Sequence, residues 1–176
     1  MNEVFIEKLL EWNRIHNLTG ATTKKQIQKN IEDSLKALEY IDTKPKVAMD
    51  IGTGAGFPGL ILAMAMPQTT WYLIEPRIKR AAFLNYIKSL LDLKNVKVVQ
   101  KRVEEIEPFK VDLITSRAVM KTKDLLQLIK SFVKEDTLIV LYKGENVEDE
   151  VKGLKNYKIY KNGKRRYLII KGKDAF

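Results

Sequence analysis

The sequence has no cysteine and a single histidine in 176 residues. The first absence excludes disulfides, thiolate nucleophiles and cysteine-built metal sites. The second argues against a histidine-built metal centre or a Ser-His-Asp triad, so no metal is expected. No apolar run approaches the roughly 20 residues needed to cross a bilayer, so no membrane partner is expected. Glu3, Glu7, Lys8 and Glu11 interrupt the apolar positions at the start. That pattern does not read as a signal peptide, and a cytoplasmic location is expected. Acidic residues are scarce near the other end. Residues 152–176 hold nine Lys/Arg against Asp174 alone, so about +8 of the net +10 lies there; residues 1–45 balance seven Lys/Arg with seven Asp/Glu. Such clustering suits either a polyanionic partner or a solvated lysine-rich face.

What the sequence does have is one glycine-rich stretch, Val47 to Gly59. It starts apolar, as a buried parallel strand does. It then turns through Gly52, Gly54 and Gly56, and Pro58 suits the first turn of a helix. Leu60 to Met66 is a good helix former, stopped near Pro67. Strand, glycine turn and helix make the first half of a nucleotide-type binding unit. Gly54 to Gly59 also matches the dinucleotide pattern G-x-G-x-x-G. Asp50 argues against that ligand, because a carboxylate at the strand end repels a pyrophosphate. It suits a cationic ligand without phosphate, such as S-adenosylmethionine. Asp50, Gly52, Thr53, Gly54 and Gly56 are therefore candidate cofactor residues. Glu75 lies 19 residues after Gly56, at the end of the strand-like Thr69–Glu75. A carboxylate there can accept from both ribose hydroxyls.

The rest of the chain alternates helices and strands. Residues 3–16 predict an amphipathic helix with Phe5, Leu9, Trp12 and His16 on one face, stopped at Gly20. Thr23 to Gln26 reads as a capping box opening a second helix with Ile27, Ile31, Leu35 and Leu38 inward. Arg77 to Leu91 predicts a helix with Ile78, Ala82, Phe83, Ile87, Leu90 and Leu91 inward. Strands follow at 96–99, 111–116 and 138–142, with a helix from Lys121 to Val133. The turn after the third strand faces the adenine in such folds, which makes Val103 and Glu104 candidates. Arg117 and Lys143 stand at the ends of the fourth and fifth strands, where these sheets bind ligands. They are candidates for orienting a cofactor carboxylate or a phosphate. Asn162-Gly163, between two β-rich runs, signals a closing hairpin. The expected architecture is α/β and Rossmann-like: a mostly parallel seven-stranded sheet ending in an antiparallel hairpin. Residues 1–45 form an N-terminal helical layer on a core of residues 46–176, one compact domain overall.

The sequence resembles a known family in four blocks. These are Trp12-Asn13-Arg14 with Asn17-Leu18-Thr19; Asp50 to Gly59; Lys79 to Leu84 with Leu93 to Val96; and Thr115-Ser116-Arg117-Ala118 with Tyr142-Lys143-Gly144. The family is the bacterial 16S ribosomal RNA guanine-N7 methyltransferase family, also called glucose-inhibited division protein B. The resemblance implies a class I S-adenosylmethionine-dependent methyltransferase acting on 16S ribosomal RNA or the small subunit particle. It implies cofactor contacts at Gly52, Phe57, Val103, Glu104 and Arg117. Arg14, Lys24, Lys25, Lys164, Arg165 and Arg166 are the candidate RNA-facing cations, and a monomer is expected. The family often has histidine where Asn30 stands and an Arg-His pair where Arg166-Tyr167 stands. Its usual Phe-Ala-Ser after Ser-Arg-Ala is here Val119-Met120-Lys121. Other readings stay open at this point: a nicotinamide-dependent oxidoreductase using the glycine turn differently, a non-catalytic RNA-binding or ribosome-assembly factor, and, as a third option, a methyltransferase acting on protein or a small molecule.

Overall fold

Alternation along five apolar runs decides the architecture. The computed structural model describes all residues, 1–176. Its parallel strands are β1 (Val47–Ile51), β2 (Thr70–Ile74), β3 (Val96–Val99), β4 (Leu113–Arg117) and β5 (Leu138–Lys143). β6 (Lys158–Asn162) and β7 (Arg165–Lys171) form the closing hairpin, with Gly163 at positive φ in its turn. The sheet order is β3-β2-β1-β4-β5-β7-β6, so β7 enters antiparallel beside β5 and β6 takes the edge. From β1 the chain winds outward in one direction through β2 and β3, and in the other through β4 and β5. The reversal between β1 and β4 leaves a crevice beyond the strand ends, where open α/β sheets bind ligands.

The pleat sends successive side chains to opposite faces. Ala48, Leu73, Leu113, Val140 and Tyr142 join one core cluster, while Met49, Ile74, Ile114, Ile139 and Leu141 join the other. The first cluster is covered by α1 (Asn2–His16), α2 (Lys24–Lys36), α3 (Gly59–Ala65) and α4 (Ile78–Leu90). The second is covered by α5 (Thr122–Ile129) and α6 (Val147–Glu150). Phe5 of α1 is fully buried, with its ring 5.6 Å from Phe57 and 6.0 Å from Phe83. Burying such a side chain stabilises by roughly 1.5–3 kcal/mol. The N-terminal helices therefore share the main core.

Local chemistry explains the element ends. Thr23 and Gln26 form the expected reciprocal capping box at the start of α2. α1 stops earlier than Gly20. Asn17 takes the left-handed conformation and returns its N–H to the Asn13 carbonyl, while the Asn13 side chain accepts from Thr19 N–H and donates to the Ala21 carbonyl. Asn is among the residues that tolerate this conformation. The inward face of α4 also differs from expectation. Ala81, Phe83, Leu84 and Ile87 are buried, whereas Ile78 is 70% exposed and Leu90 46%. α4 faces both the sheet and α1, and that two-sided contact rotates the buried stripe away from Ile78 and Ala82. α5 ends at Ile129 and continues as a tight turn through Phe132, with Leu126 buried beside Leu125.

Candidate functional site

A cavity of about 510 Å³ opens at the carboxyl ends of β1, β2 and β4. The glycine turn forms its floor. Gly52 and Thr53 donate their N–H groups to the Ile74 carbonyl at 2.9 and 3.2 Å, which ties the turn to the end of β2. Gly52 and Gly54 have φ of +67° and +61°, a conformation open to glycine at little cost. Val119 sits directly over Gly52, so a Cβ there would lie 2.6 Å from the valine methyl. Thr53 Oγ1 is buried and has no hydrogen-bond partner.

Glu75 is the buried carboxylate of this cavity. It is 3% exposed, and its two oxygens accept from Gly54 N–H and Arg77 N–H, both at 2.9 Å. Those bonds hold it against the turn and leave lone pairs for further donors. Arg80 lies 4.0 Å from Glu75 Oε2 and donates through Nε to the Leu18 carbonyl at 3.0 Å. Val103 and Glu104, in the turn after β3, complete that end of the wall. At the other end Arg117 stands 5.1 Å over the Phe57 ring, which meets the Phe5 ring edge-on. Arg117 Nη1 donates to Asn30 Oδ1 at 3.1 Å and lies 3.6 Å from Asp33 Oδ2. Burial holds the guanidinium below its ordinary value, opposed by the Asp33 carboxylate. It remains a cation at any working pH.

Of the expected cofactor residues, Gly52, Thr53, Gly54, Phe57, Glu75, Val103, Glu104 and Arg117 line this cavity. Three expected ligand-facing residues do not. Asp50 is fully buried beneath α3: Oδ2 accepts from Gly59 N–H at 2.9 Å and Oδ1 from Thr115 Oγ1 at 2.6 Å. The reason is parity. Asp50 shares its face with Ala48 and points under the helix, away from the crevice. Its carboxyl is pushed up to about 6 by burial, against the hydrogen bonds from Thr115 and Gly59 and the nearby Arg117. The Thr53 hydroxyl also favours its charged form, from a position outside hydrogen-bond geometry. Gly56, at φ +108°, builds the turn: its N–H bonds the Thr53 carbonyl, and a Cβ would lie 3.0 Å from Leu60 Cβ.

Lys143 is the third correction. It shares its face with Ile139 and Leu141 and turns to the α5–α6 side, away from Arg117. Its Nζ donates to Glu150 Oε2 at 2.7 Å and to the Met120 carbonyl at 2.9 Å. The same Glu150 oxygen accepts from Thr122 N–H and Oγ1 at 2.8 and 2.7 Å. Burial opposes ionisation of Glu150, but these bonds hold its carboxyl below the ordinary value. Lys143 thus anchors the loop after β4, and its link to the cavity is indirect. That loop carries Ala118 at φ +53°, a strained position for a non-glycine residue.

The expected basic surface divides in two. Arg14, Lys25 and Lys164 are exposed, and Lys24 pairs with Glu3 at 3.1 Å. Arg165 is not a free cation: Nε bonds Asp33 at 2.9 and 3.1 Å, and Nη1 bonds the Lys143 carbonyl at 3.2 Å. Arg166 Nη1 bonds the carbonyls of Gly163 and Arg165 at 2.7 and 3.0 Å. The sequence reading assigned no role to Leu18, Thr19, Gly20, Arg80 or Val119, which also line the cavity. Thr19 and Arg80 were within reach, since both stand in the blocks that carry the family resemblance. Asn30 and Tyr167, two departures from the family pattern, meet at one point. Asn30 takes Arg117, and Tyr167 hydroxyl donates to Asp33 at 3.0 Å.

No group of three or more His, Asp or Glu side chains could hold a metal ion, and no helix is long and apolar enough to cross a membrane. S-adenosylmethionine fits the wall. The spare lone pairs of Glu75 can accept from a polar ligand, and the glycines let a ligand approach the backbone.

Comparison with known proteins agrees. The chain is similar in structure, at 15% identity, to a ribosomal protein L11 methylase of Lactobacillus delbrueckii subsp. bulgaricus, with a TM-score of 0.67 over 88% of this chain and 81% of that one. A precorrin-6y C5,15-methyltransferase of Geobacter metallireducens gives a TM-score of 0.60 at 14% identity, over 88% of this chain and 90% of that one. These likenesses establish the methyltransferase fold. In sequence the chain is 50% identical to the ribosomal RNA small subunit methyltransferase G of Aliarcobacter butzleri, over 97% of this chain and 88% of that protein. It is 46% identical to the protein of that name in Helicobacter pylori, over 95% and 93%. The profile of one family matches residues 2–174, and the chain belongs to that family, GidB, the rRNA small subunit methyltransferase G family.

Proposed function

We propose that this protein transfers the methyl group of S-adenosylmethionine to N7 of a guanine in 16S ribosomal RNA. The observation that carries the reading is the make-up of the cavity wall. Its titratable groups are Glu75, Glu104 and four arginines, Arg77, Arg80, Arg102 and Arg117. Guanine N7 has a free lone pair, so no residue needs to take its proton, and a wall rich in guanidinium groups suits that chemistry. When bound, S-adenosylmethionine supplies an electrophilic methyl group on a sulfonium. Glu75 would accept from the ribose hydroxyls, Val103 would pack on the adenine, and Glu104 would meet its edge. The Thr53 hydroxyl and the backbone of Gly52 and Gly54 would line the path of the remaining chain. Arg117, held by Asn30 and Asp33, would orient either a cofactor carboxylate or the RNA.

Catalysis on this reading rests on positioning and fixed charge. The acceptor sits in folded RNA, whose recognition uses shape and phosphate contacts. Residues 1–45 act within the catalytic unit, since α2 supplies the partners of Arg117. The test is direct. Small-subunit RNA from a strain lacking the gene should lose one N7-methylguanine, mapped by base-specific chain cleavage, and the purified protein should restore it. An unchanged map would count against the reading. Calorimetry should show S-adenosylmethionine binding and no nicotinamide dinucleotide binding, which separates the oxidoreductase alternative.

A further inference from the structure

A second cavity, of about 660 Å³, lies between α2 and the β6–β7 turn. It falls within the range of roughly 300–1,000 Å³ that holds drug-sized ligands, so it can accept a nucleotide. None of its lining residues is hydrophobic. That excludes a lipid tail or an apolar peptide and suits a hydrated, charged ligand. Its cations are Lys29, Lys36, Lys164 and Arg165, and its acids are Glu32 and Asp33. Asp33 is matched by Arg165, and Lys36 is turned to Glu39 at 2.8 Å. Lys29 and Lys164 are exposed and make no ion pair. They come from opposite ends of the sequence and are brought to one groove only by the packing of α2 beside the hairpin.

The two cavities share a wall. Asn30 and Asp33 line the second, and both hold Arg117, whose guanidinium lines the first and lies over Phe57. Arg117 is therefore the side chain that stands between a chain seated in the second cavity and the glycine turn. We propose that the second cavity seats the ribose–phosphate backbone flanking the target guanosine. Lys29 and Lys164 meet its phosphates, and Arg117 is the wall the base passes. The inference rests on the functional reading above and names the part of the protein that holds the acceptor strand.

The test is the double variant Lys29→Gln/Lys164→Gln in the full chain, assayed for methyl transfer to small-subunit RNA or particles. A control, Lys44→Gln/Lys94→Gln, removes the same charge from exposed positions just before β1 and β3, at the amino ends of parallel strands whose carboxyl ends form the crevice; of these two lysines Lys94 pairs with the exposed Asp92 at 3.4 Å. The KM for RNA should rise roughly fivefold or more in the first variant, and the log–log salt slope should fall by about 1.4, the value for two phosphate contacts on single-stranded RNA. The affinity for S-adenosylmethionine should stay within about twofold, because neither lysine lines the first cavity. An active wild type with equal KM and salt slope in the two double variants would overturn the assignment of this cavity alone. A wild type that transfers no methyl group to RNA would overturn the functional reading, and this inference with it.

Discussion

The crevice has two unlike halves. The half formed by the ends of β1 and β2 and the turn after β3 has a floor of backbone and short side chains, with Arg77, Arg80 and Arg102 around it. Its buried cavity-lining carboxylate, Glu75, is fixed by two backbone N–H groups. At the ends of β4 and β5 the long charged side chains are fixed by other side chains from distant segments, Arg117 inside the crevice and Lys143 on the opposite face of the sheet. Arg117 leans on Asn30 and Asp33 of α2, and Lys143 on Glu150 of α6. A site held by backbone tolerates little change of shape; a site held by charges tolerates little change of partner.

The largest expected effect probes shape in the first half. In Gly59→Ala the new Cβ would lie 2.5 Å from Asp50 Cβ and Oδ2. The helix start must then move away from β1. A loss of about 3 kcal/mol or more in stability, with loss of S-adenosylmethionine binding, is expected in denaturation and calorimetry. A stable, binding-competent variant would show that the turn is less rigid than its contacts.

Asp50 sharpens the same half through pH. The unfolded chain releases this proton near 3.8, whereas the folded chain keeps it to about 6. Stability from this group is therefore full below pH 3.8 and is lost as pH rises through 6. The loss is at most about 3 kcal/mol. In Asp50→Asn the amide can still accept from Gly59 and can donate to Thr115 Oγ1. Urea denaturation from pH 4 to 7 should show the difference between variant and wild type moving in the variant's favour as pH rises. A constant difference would place the Asp50 proton elsewhere.

In the second half, Arg117→Ala removes a charged donor, worth roughly 1.5–3 kcal/mol, so kcat/KM should fall about 10- to 100-fold. Arg117→Lys keeps the charge but not the fork, and should recover only part of the loss. Full activity in the alanine variant would remove Arg117 from the site. The smallest effect concerns the other charge. Lys143→Met and Glu150→Gln should be non-additive in stability, with a coupling of about 0.5–3 kcal/mol in a double-mutant cycle. Additive effects would mean that the pair does not hold the loop after β4.

The first half was largely legible in the sequence because its residues are local. Gly52, Thr53 and Gly54 lie within one turn, and Glu75 ends the next strand, so spacing alone brings them together. The second half was not, because its partners are separated by 87 residues between Asn30 and Arg117 and by 132 between Asp33 and Arg165. Spacing located Arg117 and Lys143 correctly at strand ends. It missed that their strands deliver them to opposite faces, although the alternation Leu113–Thr115–Arg117 against Ile139–Leu141–Lys143 carries that information. The same parity explains Asp50, which spacing placed at the strand end and which turns beneath α3, away from the crevice. The basic end of the chain was legible as composition, but Arg165 turned inward to Asp33.

The sequence by itself determined the order of strands and helices, the glycine turn, the closing hairpin and the family. The elements rest on nearest-neighbour chemistry, that is periodicity, glycine conformations and caps, and the family on the four blocks of residues that resemble it. Only the tertiary structure decided that Asp50 holds a helix start, that Lys143 holds a loop and that α2 holds Arg117. Each of these depends on which face of the sheet a side chain meets and on which distant segment covers that face.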